Sequence, residues 1–230
     1  LRLAIIIPVL NEAHVIEAAL ARLVELRTRG ARVIVVDGGS RDDTVRRAAP
    51  LADRVLEAPR GRALQMNAGA RAPEALDADV LLFLHVDTRL PPDADRIIFR
   101  TLANADRCWG RFDVHIEGRS RWLPVVATLM NWRSRLTGIA TGDQAIFVER
   151  GAFLALEGFA PIPLMEDVEF SRRAKRISPP LALAARVTTS GRRWDRHGVW
   201  RTILLMWRLR LAYFFGADPA ELARRYRDAR

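Results

Sequence analysis

The chain is 230 residues long, half of them hydrophobic, with 37 basic against 27 acidic side chains and a formal charge of +10. That length suits one large domain or two small ones, and the apolar content excludes a disordered chain. A single cysteine, Cys108, excludes an internal disulfide scaffold and favours a reducing, cytoplasmic compartment.

Leu3-Ala-Ile-Ile-Ile-Pro-Val9 is a continuous apolar run, the pattern of a strand buried on both faces. A helix is expected from about Glu12, with Ile16, Leu20 and Leu23 on one stripe and Asn11 as its N-cap. Arg32 to Val36 reads as a second strand closed by Asp37-Gly-Gly-Ser40, and Ser40 with Asp43 is spaced as a capping box for the next helix. A short strand follows at Arg54 to Glu57, a helix at Arg62 to Arg71, and a fourth strand at Val80 to Leu84. This alternation predicts a parallel, doubly wound α/β sheet. Beyond residue 107 the pattern becomes mixed: strand from Cys108 to Glu117, helix from Trp122 to Leu136, strand from Ala145 to Val148, helix from Met165 to Ile177, strand from Leu181 to Val187, then two helices. No Gly-, Ser- or Pro-rich break divides the chain, so one domain over 1–230 is expected.

No segment reads as a signal peptide or a membrane span. The opening run is broken by Pro8, and the apolar stretch from Val199 to Phe215 contains Arg201, Arg208 and Arg210. In that stretch Trp200, Ile203, Leu204, Trp207, Leu211 and Phe214 share one helical stripe. Packing on the protein's own sheet or on a second copy, as in a homodimer, is the leading expectation. A helix lying on the inner face of the plasma membrane is the alternative.

Open parallel sheets bind ligands at the carboxyl ends of their strands. Three such ends are polar here: Pro8 to Glu12, Asp37 to Ser40 and His85 to Thr88. Asp37 is placed to bind a ribose hydroxyl or to serve the turn before Gly38. Asp87, at the exit of an apolar strand, can ligate a hard divalent cation bridging diphosphate oxygens, or cap a turn. Neither a G-x-G-x-x-G nor a P-loop is present. All the basic residues except Lys175 are arginine, suited to forked phosphate contacts and equally to a solvated surface. No zinc-finger spacing or RNP-like run supports nucleic-acid binding.

Four segments in order, Pro8-Val-Leu-Asn-Glu12, Val36-Asp-Gly-Gly-Ser-Arg-Asp-Asp-Thr44, His85-Val-Asp-Thr88 and Met165-Glu-Asp-Val-Glu-Phe-Ser-Arg-Arg173, resemble the motifs of family 2 glycosyltransferases. The tail, Thr189-Ser-Gly-Arg-Arg-Trp194 with Arg-rich helices after it, looks like that of a bacterial radical-SAM/selenodomain-associated subgroup. The resemblance implies a GT-A fold, with a nucleotide-binding half over 3–107, an acceptor and sugar half over 108–190, and C-terminal helices over 191–230. It implies an inverting transfer from a UDP- or GDP-linked sugar to an acceptor hydroxyl, lipid-linked acceptors included, assisted by Mn²⁺ or Mg²⁺. Pro8, Leu10 and Glu12 would line the nucleoside pocket with Asp37 and Gly38, and Gly61-Arg62 would approach the phosphates. Asp87 matches the metal-binding acid of the D-x-D motif, and Asp167, beside Glu166, matches the general base. Asp143 and Gln144, in Thr141-Gly-Asp-Gln-Ala145, match the sugar and acceptor pocket. His197 is a candidate late metal ligand, or an exposed surface histidine.

Two positions depart from the pattern. Gly38 stands where the family has a second acid, and His85 stands at the first acid of D-x-D. Imidazole still ligates Mn²⁺ but suits Mg²⁺ poorly, and a core histidine is the leading expectation there. Two other functions are compatible with parts of the chain: a nicotinamide-dependent oxidoreductase, and a non-catalytic basic protein of membrane surfaces.

Overall fold

The protein is described by a computed structural model covering residues 1–228. Its first half alternates strand and helix. β1 (Leu3–Val9) is followed by α1 (Ile16–Ala21) and α2 (Val24–Thr28), then β2 (Arg32–Asp37) and α3 (Thr44–Ala48). Next come β3 (Arg54–Glu57), α4 (Arg62–Ala70), α5 (Pro73–Leu76) and β4 (Val80–Phe83). β1 pairs in parallel with β2 on one side and β4 on the other. Its residues therefore alternate between two cores: Ile5 and Ile7 face one, Ala4 and Ile6 the other. That is why the run is apolar without interruption.

The second half is mixed. β5 (Thr88–Arg89), α6 (Ala94–Ala103) and β6 (Trp109–Glu117) lead to α7 (Leu123–Thr137). One 3-10 turn at Gly142–Gln144 precedes β7 (Ile146–Glu149), α8 (Arg150–Ala155) and α9 (Glu166–Ala174). The chain continues through β8 (Leu181–Ser190), α10 (Arg192–His197), α11 (Val199–Phe214) and α12 (Pro219–Asp228). Eight strands form one sheet in the order β3-β2-β1-β4-β7-β6-β8-β5. β7 runs antiparallel to both β4 and β6, whereas β6 and β8 are parallel and β5 is antiparallel to β8.

Helix α4 lies very close to β1. A Cβ placed on Gly69 would fall 2.5 Å from the Ile6 side chain, so only glycine allows this approach. The approach holds the N-terminal end of α4, with Gly61 and Arg62, near the carboxyl ends of β1 and β2.

Several local expectations fail, each for a visible reason. Asn11 does not cap a helix: it adopts positive φ (54°), and its side chain accepts a hydrogen bond from the Arg41 backbone N–H at 2.8 Å. Residues 12–15 form a turn, and α1 begins four residues after Glu12. The Ser40–Asp43 capping box is absent. Ser40 is engaged by Asp37, and Asp42 rather than Asp43 accepts the Thr44 backbone N–H, at 3.1 Å. The stretch from 88 to 107, unassigned from sequence, holds β5 and α6, and three helices rather than two close the chain.

The largest correction concerns α11. Its apolar stripe does not pack on the sheet: Trp200, Leu204, Trp207, Leu211 and Phe214 are 58% to 77% exposed, and of the stripe only Ile203 is partly buried against the core. The inward face is instead Thr202, Leu205, Leu209, Ala212 and Tyr213. Most of these pack against Leu222 and Ala223 of α12 and against Leu164 and Met165, immediately before α9.

Candidate active site

Two loops are zipped together at the ends of β1 and β2. The backbone N–H groups of Asn11, Glu12 and Ala13 donate to the side chains of Ser40 (2.8 Å), Thr44 (2.8 Å) and Asp42 (3.2 Å). Asp37 is buried, and its carboxylate accepts the N–H groups of Gly39 (2.9 Å) and Ser40 (2.8 Å) together with the Ser40 hydroxyl. Its carboxylate thereby holds its own loop together. Pro8 is buried within β1, while Leu10 and Glu12 are partly exposed beyond its end.

Gln65 of α4 closes the same strand ends by donating to the carbonyls of Val9 (2.9 Å) and Val36 (2.8 Å). A Cβ on Gly38 would lie 3.0 Å from the Gln65 amide. The glycine at the second-acid position thus leaves room for a buried amide. Its signal in the sequence was the departure at Gly38, read without a partner.

The end of β4 meets the start of α9. Asp167 accepts the Gly142 backbone N–H (2.9 Å) and its neighbour Val168 N–H (2.8 Å), so one carboxylate joins the 3-10 turn to the helix N-terminus. Glu166 is buried and ion-paired with Arg62 Nε at 3.1 Å. Burial pushes the Glu166 carboxyl up, opposed by Arg62 and reinforced by Asp167. Burial works against the Arg62 charge, yet Glu166 and the other nearby acids outweigh it and hold the guanidinium ionised. Neither acid pairs with Arg172 or Arg173; Arg173 is bound to Glu169. Gln144 is fully buried, joined to Asn131 (3.3 Å) and to Thr141 in a capping box, so it shapes the turn.

His85 is partly buried, and both its ring nitrogens face protein groups. Its Nδ1 lies 3.3 Å from Asp143 Oδ1, and Nε2 abuts Gly142, where a Cβ would fall 2.4 Å away. Burial disfavours the imidazolium, but the Asp143 carboxylate more than compensates and raises the His85 pKa above its ordinary 6.5. Burial likewise disfavours the Asp143 anion, and His85 overcomes this to hold its pKa below 3.8. In metal-free protein, NMR titration of His85 is expected to give a value above 6.5 in the wild type and a lower one in Asp143→Asn, where burial and the Arg62 charge are opposed by the Asp87 charge alone. The pair's contribution to stability is lost as pH rises through the folded His85 value, and lost as pH falls through the folded Asp143 value. An unchanged His85 titration in Asp143→Asn would contradict the pairing.

Asp87 leaves the end of β4 half-buried, 3.5 Å from Arg192 of α10. Arg192 also reaches Glu12 (3.9 Å) and His14 Nε2 (2.7 Å). Burial raises the Glu12 pKa, and its buried Oε2 lacks a hydrogen-bond partner. Among the described residues no three His, Cys, Asp or Glu side chains form a closed metal cage, so His197, at the end of α10, joins none. Magnesium and manganese need no such cage when phosphate oxygens and water complete the shell. Asp87, a hard and accessible carboxylate, fits that kind of site.

On the far side of Asp167 the surroundings are cationic. Arg133 Nε and Nη2 and Arg210 Nε are buried without hydrogen-bond partners among the described residues. Burial and the charge of Arg210 lower the Arg133 pKa to about 10, against the pull of Asp167. Sequence reading missed these two arginines and Arg192, because nothing local marks which arginine of a basic chain faces inward.

A parallel half with loops at its strand ends, joined through an antiparallel strand to a mixed half with an acidic helix start, defines the GT-A class of glycosyltransferases. The chain belongs to glycosyl transferase family 2, whose profile matches residues 4–155. It is similar in fold to a mannosyltransferase from Pyrobaculum calidifontis solved with GDP-mannose and Mn²⁺: TM-score 0.66, 23% identity, covering 97% of this chain and 68% of that one. Glucosyl-3-phosphoglycerate synthase from Mycobacterium tuberculosis, solved with Mn²⁺, UDP and glucosyl-3-phosphoglycerate, matches with TM-score 0.58 and 20% identity over 80% of this chain and 70% of that one. TarS from S. aureus, solved with UDP, matches with TM-score 0.63 and 14% identity over 83% of this chain and 60% of that one. No curated protein sequence matches the chain.

Proposed function

We propose that the protein is an inverting transferase that moves a sugar from a UDP- or GDP-linked donor to an acceptor hydroxyl. One observation carries this within the family 2 fold. The acidic start of α9 and the end of β4 line a single small cleft, shared by Met66, Phe83, His85, Gly142, Glu166 and Asp167. The solved relatives with bound GDP-mannose or UDP and Mn²⁺ support the donor class.

In this reading Leu10 and Glu12 border the nucleoside, and the Asp37 loop sets its floor. Arg62, held charged by Glu166, faces the negative charge that builds on the departing diphosphate. Asp167, already anchored by two N–H groups, accepts the proton of the acceptor hydroxyl as it attacks the opposite face of the anomeric carbon. Asp87 would hold a divalent cation together with diphosphate oxygens and water; bound there, the cation supplies Lewis-acid stabilisation of the leaving group. Asp143 orients His85 beside the sugar end of the cleft. The Thr189–Trp194 segment supports a place in the radical-SAM/selenodomain-associated subgroup, which names no substrate.

Thermal shift with UDP, GDP and NAD, each with and without Mn²⁺, tests the donor class. At a hundredfold excess over Kd a ligand adds about 2.7 kcal/mol, or roughly 5–10 °C in Tm for a domain of this size. UDP or GDP is expected to give that shift with Mn²⁺ present. Stabilisation by NAD alone would replace this reading with the oxidoreductase.

A further inference from the structure

Helix α7 turns a stripe of Trp122, Val125, Leu129, Trp132 and Leu136 to the outside, 42% to 66% exposed. Alternating spacings of three and four residues place them on one face. α11 exposes Trp200, Leu204, Trp207, Leu211 and Phe214 in the same rhythm, with Phe215 just beyond. Ten of the 17 exposed large apolar side chains described belong to these two stripes, and Phe215 adjoins them. A soluble surface scatters such residues and does not gather them.

The stripes adjoin. Trp122 and Trp200 stack with ring centroids 5.7 Å apart. Further along, Arg133 of α7 feels the charge of Arg210 of α11. Arg133 lies 11 residues beyond Trp122 and Arg210 lies 10 beyond Trp200, so this electrostatic proximity agrees with the ring contact in placing the two helices near each other. Through the Trp122–Trp200 contact the two exposed apolar faces adjoin.

We propose that the outer faces of α7 and α11 form a docking surface for an anionic membrane. Charge selects this occupant. Residues 118–142 include Arg119, Arg121, Arg133 and Arg135, and residues 196–217 include Arg196, Arg201, Arg208 and Arg210; neither stretch contains an Asp or Glu. Arg119, Arg121, Arg201 and Arg208 are exposed beside the apolar stripes. Asp113 pairs with Arg135 and Asp195 accepts the Arg119 backbone N–H at the margins of this face, but a second copy docking through it would still set Arg121, Arg201 and Arg208 against one another. Anionic headgroups supply the missing charge, while the four tryptophans suit the headgroup level. No described helix is long and apolar enough to cross a membrane, so the contact is a surface one.

Co-sedimentation of the full chain with phosphatidylcholine vesicles, with and without about 30 mol% phosphatidylglycerol, tests the proposal. The wild type is expected to partition at least ~10-fold more strongly onto the anionic vesicles. Trp132→Ser/Trp207→Ser should lose at least ~10-fold of that partitioning, with its Tm and its nucleotide-induced thermal shift unchanged because both side chains face solvent. Arg201→Gln/Arg208→Gln should weaken binding to anionic vesicles while leaving binding to neutral ones as it was. Three results would overturn the proposal: equal partitioning of the wild type onto both vesicle types, undiminished binding of the folded tryptophan variant, or a wild-type dimer in sedimentation velocity that this variant abolishes. A nucleotide shift without vesicle binding rejects the membrane surface and leaves the transferase reading standing.

Discussion

Asp87→Ala is expected to abolish cation-dependent binding of the nucleoside diphosphate. Asp87 is the one carboxylate at the end of β4, half-open, with only Arg192 near its Oδ2. His85 does not replace it, because its two ring nitrogens face Asp143 and Gly142. Glu12 is near enough to feel the Asp87 charge, but its carboxyl is partly buried and already faces Arg192. Without Asp87 a cation would depend on phosphate and water alone. Calorimetric titration of UDP or GDP with and without Mn²⁺ should show the Mn²⁺-dependent gain, expected to be ~100-fold, collapse in the variant. Its Tm should change little, since the side chain is partly solvated and makes no close pair. Mn²⁺-dependent affinity equal to that of the wild type would exclude Asp87 as the ligand.

Asp167→Asn should separate chemistry from binding. A positioned general base contributes about 10²–10⁴-fold, so turnover, followed by nucleotide release to acceptor or to water, is expected to fall by about 10³-fold. Donor affinity should stay near the wild-type value, because Arg62, the Asp37 loop and Asp87 remain. The amide can still accept one of the two N–H groups now bound by the carboxylate, and losing the other costs about 1 kcal/mol. A small drop in Tm is therefore part of the expected result, and a large one would signal a structural defect instead. Near-normal turnover would move the base elsewhere. Glu166 is a poor substitute, since its carboxylate is buried against Arg62.

The sheet was legible wherever one strand faces two cores. β1, β2 and β4 announce themselves as apolar runs, and the polar residues that follow them mark the strand ends where the donor site is proposed. What could not be read was the direction of side chains across long separations. Asn11 looks like a helix cap because Glu12 begins a periodic pattern, yet its amide is committed to the Arg41 backbone 30 residues away. Gln65 carries no motif, but it closes two strands at once. In α11 periodicity identified the apolar stripe correctly and gave no information about which side of the helix the protein covers. That choice was made by Leu205 and Leu209, which fit between α12 and the segment before α9.

The pairing of β5 with β8 also sets a timetable for the chain. β5 begins one residue after Asp87 and touches no strand except β8, where the Thr88 hydroxyl meets Thr189 at 3.0 Å across 101 residues. Closing such a loop costs about 4 kcal/mol in chain entropy, and nothing can repay it until residue 189 exists. At roughly 5–20 residues per second, a growing chain holds the Asp87 strand end without its anchor for roughly 5–20 s. From the completion of β6 to the end of that interval, β6 presents an edge that β8 has yet to cover. The first half of the chain can fold early around β1, while the strand end beside it acquires its anchor only when β8 is in place.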